Sequence, residues 1–506
     1  MAGGESFPNN AVVRMVVEPA AEDPDSDAVV DAVTGDARTR ADILAGVRAA
    51  AATLVARGVQ PEQRVILCCA DTPAFLHWFW GAMWMGAVPV PVSTMLTADD
   101  YRFLLDDSRA VGLVYSASFE ATAGPLGAAV DRPFLQWWLD DADVGALRDG
   151  GEAPDVYPAT DDDVAFWLYT SGTTGFPKGA MHRHIDMGAA TDLYAVPVLD
   201  MGPSDVVYSV AKLFFAYGLG NAGYFPAATG ARVVLHAGRP TAHDVADHVI
   251  AHRPTLFFGV PTFYGQLLAS DIADDTFSSV RLAVSAGEPL PADIHRRFGE
   301  RFGVEILDGL GTTELVHIAI SNLPGRSIPG SSGFVLDGYE ISLRDDNGLE
   351  VPDGSPGALH VAGETVTIGY WNRTDRTRQA LQGRFLATGD SYVREADGSL
   401  TCLGRTDDML KVGGIWVSPA EVEGCIIEMD SVLQAAVVGA EDDDGLVKPK
   451  AFVVPVDGAD LDGLAAAVQD HVRQRLAPYK YPRWVDIVEE LPQTATGKIK
   501  RYMLRT

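Results

Sequence analysis

Apolar positions recur along the chain with two periods, and their alternation predicts a layered α/β protein. Ile43, Leu44, Val47, Ala51, Leu54 and Val55 repeat at helical spacing over residues 41–57, with Gly58 as the stop. Residues 64–70 read as a strand. A helix follows from Pro73: Asp71 and Thr72 precede it as a cap, and Gly86, Pro89 and Pro91 end it. Residues 88–92 read as extended, 98–108 as helix and 111–116 as strand. The stretch before Arg40 carries little pattern beyond a short hairpin over 28–35, and 139–163 is a polar, acidic connection. The alternation resumes with strands at 164–168, 206–210, 232–235, 255–259 and 280–285. Helices at 244–252, 262–270 and 292–303 lie between them. Such order implies mostly parallel sheets with helices on both faces. From Gly333 short strands at 340–344 and 358–362, with a turn at Asp345-Asp346-Asn347-Gly348, predict a β-rich subdomain. After Gly404 about a hundred residues suffice for a small α+β domain.

Composition narrows the class of function. The chain has 506 residues and a net charge of -30, with acidic and basic residues interspersed. General binding of nucleic acid or of an anionic membrane needs basic patches and is not expected. Residues 73–92 have the length and apolarity of a membrane span, but their cap and prolines favour a buried helix followed by a strand. Cys68, Cys69, Cys402 and Cys425 fit neither a zinc site nor a disulfide framework. With no basic region followed by an apolar run at the N-terminus, a cytoplasmic location is expected.

The densest chemistry is Tyr169-Thr170-Ser171-Gly172-Thr173-Thr174-Gly175-Phe176-Pro177-Lys178-Gly179, directly after a strand. Its backbone N–H groups, hydroxyls and one ammonium suit phosphate oxygens. It is not a Walker A loop, because Gly179 rather than Ser or Thr follows Lys178, so a P-loop kinase is not expected. Four later stretches accompany it: Asp308-Gly309-Leu310-Gly311-Thr312-Thr313-Glu314, Ala387-Thr388-Gly389-Asp390, Gly404-Arg405-Thr406-Asp407-Asp408 and Gln493-Thr494-Ala495-Thr496-Gly497-Lys498.

In order and spacing these five stretches resemble the adenylate-forming superfamily of acyl-CoA synthetases, adenylation domains and luciferases, over nearly the whole chain. A narrower stretch, Ala211-Lys212-Leu213-Phe214-Phe215-Ala216-Tyr217-Gly218-Leu219-Gly220-Asn221, together with His317-Ile318, looks like the benzoate-CoA ligase branch. The resemblance implies a large N-terminal domain, 1–404, of mostly parallel sheets with flanking helices and a β-rich subdomain. A small mobile α+β domain, 405–506, would follow, hinged at Asp407. It implies that an aromatic carboxylate attacks the α-phosphorus of ATP, giving acyl-AMP and pyrophosphate, and that the thiol of coenzyme A then displaces AMP.

The residue roles implied are these. Thr170, Ser171, Gly172, Thr173, Thr174, Gly175 and Lys178 grip the β- and γ-phosphates, and Thr313 donates to the α-phosphate. Glu314 holds Mg²⁺, a hard cation that takes oxygen ligands. Lys498 bridges the carboxylate and the α-phosphate in the transition state. Asp390, with Arg405 nearby, takes the ribose hydroxyls. Glu288, Asp308, Gly309 and Leu310 lie along the nucleotide, where Leu310 replaces the aromatic residue of many relatives. Ala216, Tyr217, Gly311, His317 and Ile318 line the acyl pocket, and an apolar slot with a Tyr and a His suits a flat ring. Phe214 and Phe215 are divided between pocket and core. Lys411, Gly413 and Gly414 approach the thiol after the hinge turns. A stand-alone enzyme loading a separate carrier protein is the alternative acceptor reading, because no carrier attachment site follows Lys498. A catalytically silent binding protein is the non-enzymatic alternative, against which the intact Lys178, Glu314, Asp390, Arg405 and Lys498 speak. A homodimer is compatible with these readings.

Overall fold

The expected helices begin at reciprocal caps. Thr39 and Asp42 close the first turn of Arg40–Ala56, Thr97 and Asp100 that of Ala98–Ser108, and Thr241 and Asp244 that of Ala242–His252. The computed structural model describes residues 9–130, 134–139, 151–170, 177–412, 415–442, 446–493 and 499–505. The chain divides into two units, one of residues 1–258, 311–318 and 364–379, the other of 259–310, 319–363 and 380–506.

In the first unit, strands run in the order Ala37–Thr39, Asp27–Asp31, Arg232–Leu235, Val206–Ser209, Leu256–Gly259. All neighbours are parallel except the Asp27–Asp31 and Ala37–Thr39 hairpin. A second sheet, Val88–Pro91, Arg64–Cys68, Gly112–Ser116 and Leu135–Leu139, is wholly parallel. Helices Arg40–Ala56 and Pro73–Trp84 pack at glycines. A Cβ on Gly81 would lie 2.6 Å from that of Ala50, and one on Gly46 would strike the His77 ring. The Trp-rich stretch is thus a core helix, with Phe75, Trp78, Phe79 and Trp80 buried, and no described helix is long and apolar enough to cross a membrane. A third, antiparallel sheet joins Val164–Thr170, Lys178–Arg183 and Gly369–Tyr370.

The second unit holds the parallel pair Leu282–Ser285 and Ile306–Gly311 and an antiparallel meander over Glu340–Arg344, Gly357–Ala362, Phe385–Arg394 and Leu400–Arg405. A further sheet follows, of Val432–Glu441, Val447–Pro455 and Trp484–Ile487. It packs with helices Pro419–Ile427 and Leu464–Arg475 around Val422, Ile426, Val437, Val453 and Val468. There Glu423 accepts from Val437 N–H and pairs with Arg501 at 2.8 Å, a half-hidden ion pair whose acceptor is also backbone-bonded.

One expectation is corrected. The weakly patterned N-terminus is helical over Val13–Val17 and Glu18–Glu22, because Val12, Val13, Met15 and Val16 have a buried face to fill. A strand for which the sequence pattern gives no assignment, Leu135–Leu139, precedes the acidic connection and extends a parallel edge through backbone pairing.

Candidate active site

In the first unit, the strands Val164–Thr170 and Lys178–Arg183 are antiparallel, with Thr170 opposite Lys178. Ser171, Gly172, Thr173, Thr174 and Gly175 lie outside the described residues, as do Gly413, Gly414 and Lys498. The Lys178 ammonium stands 4.5 Å from the centre of the Tyr370 ring. The Tyr370 hydroxyl in turn donates to Glu314 Oε1 at 2.7 Å. One aromatic side chain therefore touches both the expected phosphate-binding lysine and the expected metal-binding glutamate. Sequence reasoning missed it. Its only local signal is the Gly369-Tyr370-Trp371 run, too short for a pattern.

Glu314 sits in the single turn Thr313–Leu315. Its carbonyl accepts from Thr367 N–H at 2.8 Å, and the carbonyl of Thr313 lies 2.8 Å from His182 Nε2. The turn ends in strain. Val316 has φ 66° and ψ -47°, and His317 N–H donates to Leu315 C=O at 2.7 Å across it. This is a γ-turn with positive φ, which a β-branched residue adopts at a cost on the order of 1–3 kcal/mol. Glu314 remains half exposed, and the Thr312 hydroxyl beside it is buried with no partner. A charged carboxylate and an unsatisfied hydroxyl are hard oxygen donors, and they fit Mg²⁺.

The residue after the γ-turn is His317, buried between aromatic rings. Ring centres lie 4.5 Å away for Phe225, 5.5 Å for Tyr217 and 5.6 Å for Tyr194. Its Nε2 meets Asn221 Oδ1 at 2.9 Å. Burial pushes the imidazole down to about 3, with the Tyr217 backbone carbonyl pulling the other way. It is therefore neutral near pH 7. Glycines admit it: a Cβ on Gly220 would lie 2.3 Å from its Cδ2, and one on Gly311 2.5 Å from its carbonyl oxygen. The structure thus joins Tyr217, Gly311 and His317, and adds Asn221, Tyr194 and Phe225. Ala216 and Tyr217 are partly exposed, while Ile318 is buried in strand Ile318–Ser321. Phe214 is buried edge-on to Phe215, with centres 4.4 Å apart, which gives Phe214 to the core. Upstream, Asp71 accepts from Leu213 N–H and lies 3.7 Å from Lys212 Nζ; its own burial raises it to about 6 against that charge.

In the second unit, Asp390 and Arg405 face each other on paired strands, with Arg405 donating to Asp390 Oδ1 at 3.3 Å and to Thr388 C=O at 2.9 Å. Gly389, at φ 80°, leaves room for that guanidinium, which a Cβ would meet at 2.5 Å. Asp407 is exposed, 3.6 Å from Arg405 Nε, and Lys411 is exposed on Leu410–Val412. Glu288 accepts from Ile499 N–H at 3.2 Å, so in this structure its carboxylate serves the backbone next to Lys498. Asp308 is enclosed on strand Ile306–Gly311, whose last residues include Gly309 and the half-buried Leu310. Burial raises its carboxyl to about 8, against the N–H groups of Leu290 and Gly309 and the Ser285 hydroxyl. Among the described residues one cluster has metal-ligand chemistry, Cys425, Glu428 and His471. There Arg475 already pairs with Glu428 at 3.2 Å and supplies the positive charge a cation would bring.

The chain belongs to the AMP-binding enzyme family, a class of nucleotide-binding enzymes. That family matches residues 16–371, and the AMP-binding enzyme C-terminal domain matches 421–498. The benzoate–CoA ligase of Thauera aromatica is 44% identical over 459 residues, 89% of this chain and 86% of that one. The crystal structure of a benzoate CoA ligase from Burkholderia xenovorans LB400 superimposes with a TM-score of 0.91 at 39% identity, covering 99% of this chain and all of that one. An anthranilate CoA ligase in complex with anthranoyl-AMP gives 0.93 at 36% identity, over 99% and 98%.

Proposed function

We propose that the protein is an AMP-forming aryl-CoA ligase. It activates an aromatic carboxylic acid with ATP to the acyl-adenylate and pyrophosphate, then transfers the acyl group to coenzyme A with release of AMP. The observation that carries the aromatic substrate is the ring cluster around neutral His317, held by Asn221 and admitted by Gly220 and Gly311, in a chain so widely related to a benzoate–CoA ligase.

The chemistry places two anions in contact, so the residues must offset charge and align the attacking oxygen. Lys178 and the hydroxyl and N–H groups of 170–175 take the β- and γ-phosphates. Glu314, steadied by Tyr370, would hold Mg²⁺, which would offset phosphate charge. Lys498 and Thr313 act at the α-phosphate. A carboxylate oxygen bonds to the α-phosphorus as the bond to the pyrophosphate oxygen breaks. Asp390 takes the ribose hydroxyls, and Glu288, Asp308, Gly309 and Leu310 border the nucleotide. Residues 405–506 turn about Asp407 as a domain separate from 1–404. The coenzyme A sulfur then bonds to the acyl carbon and AMP leaves, in the cytoplasm. Coenzyme A is favoured over a carrier protein by the ligases to which the chain is related.

A panel of benzoic, aminobenzoic, hydroxybenzoic and alkanoic acids, each with ATP, Mg²⁺ and coenzyme A, tests this. Benzoic-type acids are expected to give AMP and a thioester in equal amounts. Failure of every acid to yield AMP overturns the reading in favour of a binding protein, and adenylate without thioester transfers it to a carrier-loading enzyme.

A further inference from the structure

We propose that His182 is a positioning residue for adenylation, acting through the Thr313 carbonyl on the turn that carries Glu314. The inference rests on the reading of Glu314 as the Mg²⁺ residue. His182 lies on Lys178–Arg183, and alternation along a strand puts it on the same face as Lys178. Its side chain is fully buried, with Nε2 2.8 Å from the Thr313 carbonyl and Nδ1 3.2 Å from Asp186 Oδ2. A carbonyl only accepts, so Nε2 carries a proton.

The ring cannot yield. Asp186 is itself fixed by the Arg183 backbone N–H at 3.0 Å and by Arg183 Nε at 3.1 Å, and Phe166 stacks on the imidazole at 5.2 Å. What it holds matters, because the Thr313 carbonyl belongs to the planar peptide whose N–H is that of Glu314. Fixing that plane on one side, with Thr367 N–H holding the Glu314 carbonyl on the other, fixes the direction in which the Glu314 side chain leaves the backbone. The turn needs such a hold, since the positive φ of Val316 lets it relax to another conformation unless its neighbours over-determine it. Thr367 and Tyr370 grip Glu314 from one side, and His182 grips the preceding residue. Outer partners of this kind orient a ligand without touching the metal.

The test compares His182→Gln with His182→Asn. The glutamine amide reaches the position of Nε2 and still donates to Thr313, whereas the asparagine amide reaches only that of Nδ1. Three measurements are made on each: pyrophosphate release with benzoate and its Mg²⁺ dependence, calorimetric binding of a non-hydrolysable ATP analogue against Mg²⁺ concentration, and thioester formation from synthetic benzoyl-adenylate. In His182→Asn, adenylation is expected to fall about 10–100-fold and the Mg²⁺ requirement for nucleotide binding to rise about tenfold. Thioester formation is expected to stay within about twofold, and His182→Gln to recover most of the loss. An unchanged Mg²⁺ requirement in His182→Asn overturns the proposal. Equal damage in both variants, or parallel loss of both half-reactions with a lowered melting temperature, overturns it too. If the wild type releases no AMP with any aryl acid, the proposed activity fails, while the Mg²⁺ dependence of nucleotide binding still decides the role of His182.

Discussion

Asp308 and Glu314 are carboxylic acids on either side of one glycine–threonine stretch, and their surroundings treat them oppositely. Glu314 is half exposed, one oxygen aimed by a phenol and its backbone held on both flanking peptides. Asp308 is enclosed, faces neutral donors, and is pushed up to about 8. Glu314, proposed above to hold a cation, is aimed by its neighbours, whereas Asp308, protonated into the neutral range, is a hydrogen-bonding partner. Residue type alone does not reveal the state of Asp308; its burial does.

The sharpest way to break this contrast is to remove the charge from Glu314. Glu314→Gln keeps the shape and the Tyr370 contact but loses the anion. Adenylation should drop about a hundredfold or more, since a metal contributes several kcal/mol and each 1.4 kcal/mol is tenfold. Pyrophosphate release at saturating Mg²⁺ measures it, and a loss below fivefold removes Glu314 from the metal. Tyr370→Phe tests the aiming rather than the charge. Here we expect about a tenfold loss, larger at low Mg²⁺ than at high. A loss independent of Mg²⁺ would assign Tyr370 to packing.

The smallest effect concerns Asp308 and is read in stability. The folded chain keeps its proton up to about 8, whereas an unfolded carboxyl loses it near 3.8. The folded state therefore binds more protons between these values, and the contribution of Asp308 to stability is lost as pH rises through that window. Asp308→Asn removes the dependence. Its melting temperature relative to wild type should climb steadily from pH 5 to pH 8, by a few degrees for each kcal/mol. A constant difference across the window would show that Asp308 ionises as ordinary aspartates do.

Much of this was legible in the residues. The helix at 98–108 and the strands at 232–235 and 340–344 match to the residue, because capping boxes and β-branched runs are local signals. Motif order singles out Lys178, Glu314, Asp390 and Arg405 as candidates, and the expected nearness of Arg405 to Asp390 is seen. The partners of these groups were not found. Tyr370 and His182 reach Glu314 and its neighbour from far along the chain, and a long-range hydrogen bond leaves no periodicity. The helical N-terminus was missed because its segment is short and its apolar face is filled by tertiary contacts. The buried state of Asp308 was equally invisible, since enclosure is a property of packing.

The γ-turn at Val316 has a consequence for anyone who would alter the acid this protein accepts. It is the only residue between Leu315 and His317, so one residue's pair of backbone torsions separates the turn carrying Glu314 from the ring in the aromatic cluster. Exchanging His317 for a smaller or larger residue to admit a new acid moves the far end of a short, stiff lever. Redesign of selectivity and retention of turnover are thus mechanically tied, and a side-chain variant at Tyr217, whose backbone lies outside that turn, offers the freer route.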